Sequence, residues 1–323
     1  MTERFYDISI LRCSAMLVVV FYHCICAYGV WSNPAYSVAS HVPIWDILYD
    51  IMRNIHMPMF FILAGYLFGY KRHVGGYNDF RKFVKNKFLR VMIPYFFVGF
   101  IIVFIQNEPM TNMFLGISHL WFLMTIFECY IGGRLIDGVL RIQKKYKLFI
   151  LVLCVIFVCI YGRFCIHIDE LTVRLFCGYF PIYMIGMILG TFNLSCIKLV
   201  RFEFVSTIVS FLVMLFLACF LKIDGLLRIF GLFFVVSIFM LMRNYSKIRI
   251  SRPIKSLDKC SMGIYIVHHI LIQKMNSLSL FHLMMEEYSV FYPLIQFVVV
   301  VAFCWFIVFN LKNKYVWAKY LVG

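Results

Sequence analysis

The sequence predicts an all-α polytopic membrane protein with about ten transmembrane helices. Of its 323 residues, 63% are hydrophobic and only 14% are charged, whereas soluble globular proteins have about 45–50% and about 25%. A spanning helix uses about 20 residues, so about ten spans would account for the apolar excess. The 36 Phe, 20 Tyr and 5 Trp residues exclude a disordered chain. Long apolar runs, rather than short alternating segments, exclude an outer-membrane barrel.

The apolar segments are separated by short polar ones, with no long linker and no internal repeat. We therefore predict a single membrane domain over residues 1–323, without a soluble domain. Pro58 lies inside the second segment, where a proline kinks or breaks a helix. The spans are predicted at 8–29, 47–69, 89–106, 119–138, 148–166, 174–192, 203–221, 225–242, 262–280 and 291–311.

Basic residues alternate from loop to loop and predict the orientation. The net charge of +16 would suggest a nucleic-acid partner in a soluble protein. With a cytoplasmic N-terminus, however, 23 of the 31 Lys and Arg residues lie in cytoplasmic segments and four on the opposite side. The positive-inside rule thus explains the charge, and we predict no nucleic-acid partner and both termini inside. Cytoplasmic loops are then 70–88, 139–147 and 243–260; external loops are 31–45, 107–118 and 281–290.

Two polar residues share one stripe of the first span. Arg12 and His23 are eleven residues apart, which is about 1100° of helical rotation, or three turns plus about 20°, and a rise of about 16 Å. Ionisable groups inside a membrane face a cavity or a partner. The stripe offers a fixed cation for an anionic ligand and, in a neutral imidazole, a base. The alternatives are an interfacial anchor for Arg12 and an interhelical hydrogen bond for His23.

Other spans carry further candidates. Arg53 either contributes to a site or pairs with Asp50 or Asp46. Glu128 lies nine residues after His119, so the two do not share a helical face; it either binds a ligand or forms an ion pair with nearby Arg134. In the ninth span one face presents Ser261, Tyr265 and His268.

A basic run, FRKFVKNKFLRVMIPYF, leads into the third span. It either attracts lipid headgroups or clamps the phosphates of a nucleotide cofactor on the cytoplasmic side. The 12 cysteines are scattered singly, without a C-x-x-C pair, so we predict no metal site.

Five segments, in order, resemble the acyltransferase-3 family of integral membrane acyltransferases. The pair Arg12 and His23 is similar to the family's first-span signature. MPMFFILAGYLFGYKR, RVMIPYF, HLWFL and SMGIYIVHH resemble its motifs in the second, third, fourth and late spans. One departure is Ala64, where the family pattern has Ser before Gly65.

The resemblance implies a membrane enzyme, an O-acetyltransferase. It would move an acyl group, most often acetyl from acetyl-CoA, to a hydroxyl of a cell-envelope polysaccharide or its lipid-linked precursor, in the inner or plasma membrane. His23 would be the general base, with Glu128, which would orient or assist it, and His119 as further catalytic residues. The implied phosphate-binding residues are Arg12, Arg72, Lys87 and Arg90. No metal is expected.

The main alternative is a transporter or flippase of a small polar or glycan-linked substrate. Such a protein also uses intramembrane Arg, His and Glu residues and broken helices. The absence of an inverted repeat, and the concentration of polar groups in spans 1 to 4 and 9, favour the enzyme. A structural partner in polysaccharide assembly would leave the intramembrane charges without a purpose.

Overall fold

The structure, a computed structural model, describes residues 6–31, 33, 35–38, 42–106, 109–140, 148–149, 151–153, 155–156, 171–192, 200–244 and 251–322. Within these residues every regular element is helical, which confirms the predicted all-α class. In this part of the chain, eight helices or joined helices are long and apolar enough to cross a membrane. The chain is therefore a multi-pass membrane protein.

The described helices are numbered in chain order. A π-helical turn, Phe88–Met92, joins α4 to α5; another, Leu217–Leu221, follows α9; and a 3₁₀ turn, Ser118–Leu120, precedes α7. The α-helices are α1 Tyr6–Ile25, α2 Pro43–Arg53, α3 His56–His73, α4 Phe80–Lys87, α5 Ile93–Gln106, α6 Asn112–Leu115, α7 Trp121–Leu140, α8 Leu171–Thr191, α9 Val200–Phe216, α10 Asp224–Asn244, α11 Arg252–Asn276, α12 Ser279–Glu287, α13 Tyr292–Lys314 and α14 Ala318–Leu321.

The predicted spans fall on these helices with two qualifications. The predicted fifth span, 148–166, and the loop 139–147 lie for the most part outside the described residues. The predicted ninth span, 262–280, falls on α11, which is not among the eight candidates because its polar side chains lower its mean hydropathy. The count of ten spans and the cytoplasmic position of both termini therefore remain predictions.

The chain divides into two compact units. The first unit contains residues 1–59 and 198–316, and the second contains residues 60–197 and 317–323. A single domain over residues 1–323 remains a prediction.

In the first unit, α1 is the central helix. It packs against α2, α10, α11 and α13, and its residues Met16, Val19 and Val20 are fully buried. An aromatic core that includes Tyr28 and Trp45 closes over the end of α1. Because neighbours pack around α1, its polar residues Asp7, Ser9 and His23 are buried against other helices.

A break separates α2 from α3 at residues 54–55. Pro58 has no N–H to donate to the carbonyl of Asn54, four residues earlier, so the helical ladder stops there. The Asn54 carbonyl oxygen packs against Gly231 of α10. A Cβ atom at position 231 would lie only 2.6 Å from this oxygen, so only glycine leaves room for it. The predicted break in the second span is confirmed, and it lies just before Pro58.

In the second unit, α3 and α8 touch backbone to backbone along a glycine seam. A Cβ atom on Gly65 would lie 2.0 Å from the carbonyl oxygen of Tyr183, and one on Gly186 would lie 2.2 Å from that of Ile62. Such small-xxx-small repeats let membrane helices approach closely. The glycine seam consists of Gly65, Gly69, Gly186 and Gly190.

Candidate active site

Arg12 and His23 both lie on α1, an uninterrupted helix, so the predicted common stripe holds. Each meets a polar partner on α11: Arg12 pairs with Asp258, and His23 contacts His268. Residue numbers increase together along the two helices, so α1 and α11 run in the same direction. This is the direction expected of two odd-numbered spans.

The Arg12 guanidinium forms an ion pair with Asp258. Nε donates to Oδ1 at 2.8 Å and Nη2 lies 2.6 Å from the same oxygen, while Ser9 donates its hydroxyl to Oδ2 at 2.9 Å. The Asp258 side chain is 4% exposed, but that of Arg12 is 40% exposed. Arg12 therefore has a counter-charge and also presents donors to solvent.

The sequence prediction missed Asp258. The residue is the single acid in the basic segment 243–260, and this isolation is the signal that was available. Its partner lies 246 residues away in the chain, so spacing along one helix could not identify the pair.

Two histidines meet through their ring nitrogens. His23 Nδ1 lies 2.9 Å from the Val19 carbonyl oxygen and 3.1 Å from His268 Nε2. His268 Nδ1 in turn lies 3.1 Å from the Ile264 carbonyl oxygen. A carbonyl oxygen can only accept, so in the neutral pair each Nδ1 carries the proton. His268 Nε2 is then an acceptor for His23 Nδ1, and His23 Nε2 carries the lone pair.

Further rings surround this histidine pair. His269 meets His23 edge to face with ring centroids 5.0 Å apart, and Trp31 meets His269 at 5.3 Å. Tyr22 packs against His56, at the start of α3, at 4.7 Å. The region around His23 is therefore built from aromatic and imidazole rings.

Arg53 has carboxylate partners at the end of α2. Its guanidinium forms an ion pair with Asp224 at the start of α10 and lies 3.4 Å from Asp50. The alternative of pairing with Asp50 is thus present, and Asp224 is a partner that the sequence did not reveal.

In the second unit, Arg72 is enclosed by acceptors. Its Nε donates to Asp137 Oδ2 at 2.7 Å, and Nη2 lies 2.6 Å from that oxygen. Its Nη1 donates to the carbonyls of Gly76 and Tyr77 and to the side chain of Asn78. The side chains of the ion pair are 2% and 4% exposed. This guanidinium therefore holds the turn after α3.

Lys87, at the end of α4, lies among aromatic rings. Its ammonium is 3.5 Å from the centroid of the Tyr130 ring, 5.6 Å from that of Tyr77 and 5.8 Å from that of Phe83. Lys71 also approaches Tyr77, at 5.3 Å. These cation–π contacts form what we call the Lys87 cage, whose rings are Tyr77, Phe83 and Tyr130.

Arg90 lies on the π-helical turn and is exposed. Pro94 has no N–H for the Arg90 carbonyl, and Ile93 N–H bonds to the Phe88 carbonyl five residues back. Such π-turns are frequent at functional sites. Burial raises the pKa of the Tyr77 phenol, and the nearby Arg90 guanidinium opposes that rise. Arg90 and the Lys87 cage thus form one basic cluster.

The other two candidates lie just before α7 and within it. His119 is buried in the 3₁₀ turn before the helix. Glu128 lies within α7, with its Oε2 buried and without a hydrogen-bond partner among the described residues. Arg134 donates to the Asn78 carbonyl at 3.0 Å, which is a different partner from the predicted Glu128.

Metal ligands do not cluster in the described part of the chain: no group of three or more His, Cys, Asp or Glu residues there has suitable geometry. The first unit brings His23 to His268 and Arg12 to Asp258. The second unit brings Lys87 and Arg90 into one basic cluster, and in it Arg72 forms an ion pair with Asp137.

A family model described as an acyltransferase domain matches residues 5–309. The match covers nearly the whole chain and includes every candidate residue named above. No curated protein and no solved structure matches the chain.

Proposed function

Because the chain belongs to the acyltransferase-3 family, we propose that it transfers an acetyl group from acetyl-CoA to a glycan hydroxyl. The acceptor is a cell-envelope polysaccharide or its lipid-linked precursor, and the enzyme works in the inner or plasma membrane. The family match supports the transferase activity. The donor, the acceptor and the residue roles below are our proposal.

The observation that carries the proposed mechanism is the hydrogen bonding of His23. Its Nδ1 proton faces the Val19 carbonyl and His268, so its Nε2 is the basic nitrogen. Nε2 takes the proton of the acceptor hydroxyl, and the hydroxyl oxygen attacks the thioester carbonyl carbon. When the carbon–sulfur bond breaks, the CoA thiolate receives the proton from the His23 imidazolium. The products are the ester and the CoA thiol, and His23 returns to its neutral form.

The phosphates of the donor require exposed cations. In the first unit Arg12 has a 40% exposed side chain, and in the second Arg90 is exposed on its π-helical turn. On this ground Arg12 and Arg90 each stay proposed as phosphate-binding residues, whereas Lys87, half-buried in its cage, stays proposed from the family resemblance alone. We withdraw Arg72, because its guanidinium is buried and already bonded to four acceptor groups. Glu128 and His119 stay proposed as further catalytic residues.

Mass spectrometry of surface glycans tests the function. Cells with the gene, without it, and with a His23→Gln copy are compared at equal amounts of membrane-inserted protein. We expect acetylated glycan only in the first. Identical acetylation in all three would contradict the proposal. Loss of the whole glycan from the surface, rather than of its acetyl groups, would indicate the transporter alternative.

Acetyl-CoA binding to the purified protein is the second measurement. An acyltransferase must bind the donor, whereas a glycan flippase has no need of it. Saturable binding that free CoA competes away supports the proposal, and its absence contradicts it.

A further inference from the structure

The side chain of His268 lies behind the proposed base and is buried more deeply. His268 has no exposed surface, and His23 is 8% exposed. The two rings approach with centroids 5.0 Å apart, and the bond between them joins His268 Nε2 to His23 Nδ1 at 3.1 Å. His268 thus contacts the nitrogen of His23 that does not take the acceptor's proton.

The direction of this bond follows from two backbone carbonyls. If His268 Nε2 carried the proton, the His23 Nδ1 lone pair would point at the Val19 carbonyl oxygen, and two acceptors would face each other at 2.9 Å. In the neutral pair, His268 also needs its proton on Nδ1 for the Ile264 carbonyl. His23 Nδ1 therefore donates to His268 Nε2.

We propose that His268 is a positioning residue, which holds His23 in the tautomer that leaves Nε2 basic. The inference rests on the proposed function, in which His23 is the base. An acceptor behind the second nitrogen of a catalytic histidine fixes the tautomer and ring orientation and stabilises the imidazolium that forms. His268 fills that position with an imidazole nitrogen instead of a carboxylate.

His268 supports the charged state of His23 more than Val19 does. The Val19 carbonyl belongs to the helical ladder of α1 and already accepts a backbone N–H. An imidazole lone pair is a far stronger base than a peptide carbonyl. When His23 gains a proton at Nε2, its Nδ1–H bond to His268 becomes charge-assisted and strengthens. His268 need not change its own protonation.

A second contact fixes the helices that carry the two histidines. The ion pair of Arg12 with Asp258 lies eleven residues before His23 on α1 and ten residues before His268 on α11. Helices α1 and α11 are thus joined by two contacts, the ion pair and the histidine pair. Neither helix can rotate or slide without breaking one of them. His268 is therefore held in place by the Ile264 carbonyl and by the fixed position of α11.

Steady-state kinetics of the full chain in nanodiscs test the proposal, with acetyl-CoA as donor and glycan extracted from cells lacking the gene as acceptor. His268→Phe keeps a ring and removes the acceptor nitrogen. His268→Gln places an amide oxygen near the position of Nε2. We expect His268→Phe to lower kcat by about 10- to 100-fold, the loss seen when the hydrogen-bond partner of a metal-binding histidine is removed. The KM for acetyl-CoA should change by less than about twofold, and His268→Gln should recover most of the kcat.

A double-mutant cycle with His23→Gln separates positioning from packing. If His268 acts through His23, His268→Phe has no further effect on turnover once His23 is Gln. If the double variant loses the product of the two single losses in kcat, the proposal is overturned. A His268→Phe enzyme with wild-type kcat, or one that changes only KM, would overturn it as well. His282→Phe, the same exchange on α12, is the matched control and should match the wild type.

The outcomes distinguish this inference from the proposed function. An active wild type with an inactive His23→Gln and a fully active His268→Phe overturns the positioning role alone. A wild type without acetyl transfer, or a fully active His23→Gln, overturns the proposed function and this inference with it. If His268→Phe fails to insert, the kcat of His268→Gln decides: a loss as large as that of His23→Gln overturns the role.

Discussion

Two arginine–aspartate pairs show how differently the two units use the same chemistry. In the first unit Arg12 pairs with Asp258 and keeps a side chain that is 40% exposed. In the second unit Arg72 pairs with Asp137 and is only 2% exposed. Asp137 and three further acceptor groups enclose the buried guanidinium, whereas the exposed one retains donors.

The difference teaches which intramembrane charges are available for a ligand. A buried pair that further acceptors enclose stabilises local structure, and breaking it leaves a buried charge without its counter-charge. A pair with one exposed partner can also contact a substrate. The histidine pair follows the same rule, because one nitrogen of His23 is used for orientation and the other carries the lone pair.

The largest expected effect concerns the histidine pair. His23→Gln keeps size and hydrogen bonding but cannot take a proton, so turnover should fall by about 100- to 10,000-fold. His23→Ala should be similarly inactive, and both variants should still insert and bind acetyl-CoA because no charge is stranded. The measurement is kcat with a parallel binding isotherm. A Gln variant with most of the activity would reduce His23 to a packing residue and move the search for the base to His119, His268 or Glu128.

The next effect concerns the buried ion pair. Asp137→Asn leaves the Arg72 charge buried without a counter-charge and should destabilise the protein by about 3–5 kcal/mol. Asp224→Asn, at the exposed pair with Arg53, is the matched control and should cost at most about 1 kcal/mol. Thermal unfolding followed by a thiol-reactive dye reports exposure of the buried cysteines, such as Cys24 and Cys129. Equal losses of stability in the two variants would contradict the distinction between the buried and the exposed ion pair.

The exposed cations give a smaller effect. Arg12→Ala and Arg90→Ala should each weaken acetyl-CoA binding at least about tenfold, because a charge-assisted contact is worth roughly 1.5–3 kcal/mol. Affinity for the acceptor should change less. Arg228→Ala removes another exposed cation, on the predicted external side, and should leave donor affinity unchanged. If neither Arg12→Ala nor Arg90→Ala changes the dissociation constant, both arginines are lipid anchors.

The smallest effect belongs to the Lys87 cage. Tyr130→Leu removes the ring nearest to the ammonium and should cost about 0.5–2 kcal/mol of stability, the usual worth of a cation–π contact. Tyr130→Phe retains a ring and is the matched control. In a Lys87→Met background, which lacks the cation, Tyr130→Leu should lower stability by less. The difference is the coupling energy between the two side chains. Additive losses would show that Tyr130 packs without binding the cation.

Local patterns made the fold predictable. Long apolar runs predicted the helices, and Pro58 predicted the break between α2 and α3, because each depends on residues close in sequence. Eleven-residue spacing placed Arg12 and His23 on one stripe for the same reason. The orientation in the membrane remains a prediction from the loop charges.

Partners distant in sequence were not predictable. Asp258 and His268 lie about 245 residues from the α1 side chains that they contact, and no periodicity connects them. Arg72 shows the converse: the family resemblance implies that it binds phosphate, yet its guanidinium pairs with Asp137, 65 residues away. Charge counts reveal which residues are cations, but only packing reveals which cations are already used.

The glycine seam limits how the second unit can move. With peptide backbones in contact on both sides, a slide of α3 along α8 by one residue, about 1.5 Å, would drive side chains into the opposite carbonyls. Helices α3 and α8 therefore have one allowed register, and a shift by one residue is not tolerated. The two helices move together as a rigid pair or separate. Gradual shear between α3 and α8 is excluded, so any conformational change within this unit has to hinge at other helices.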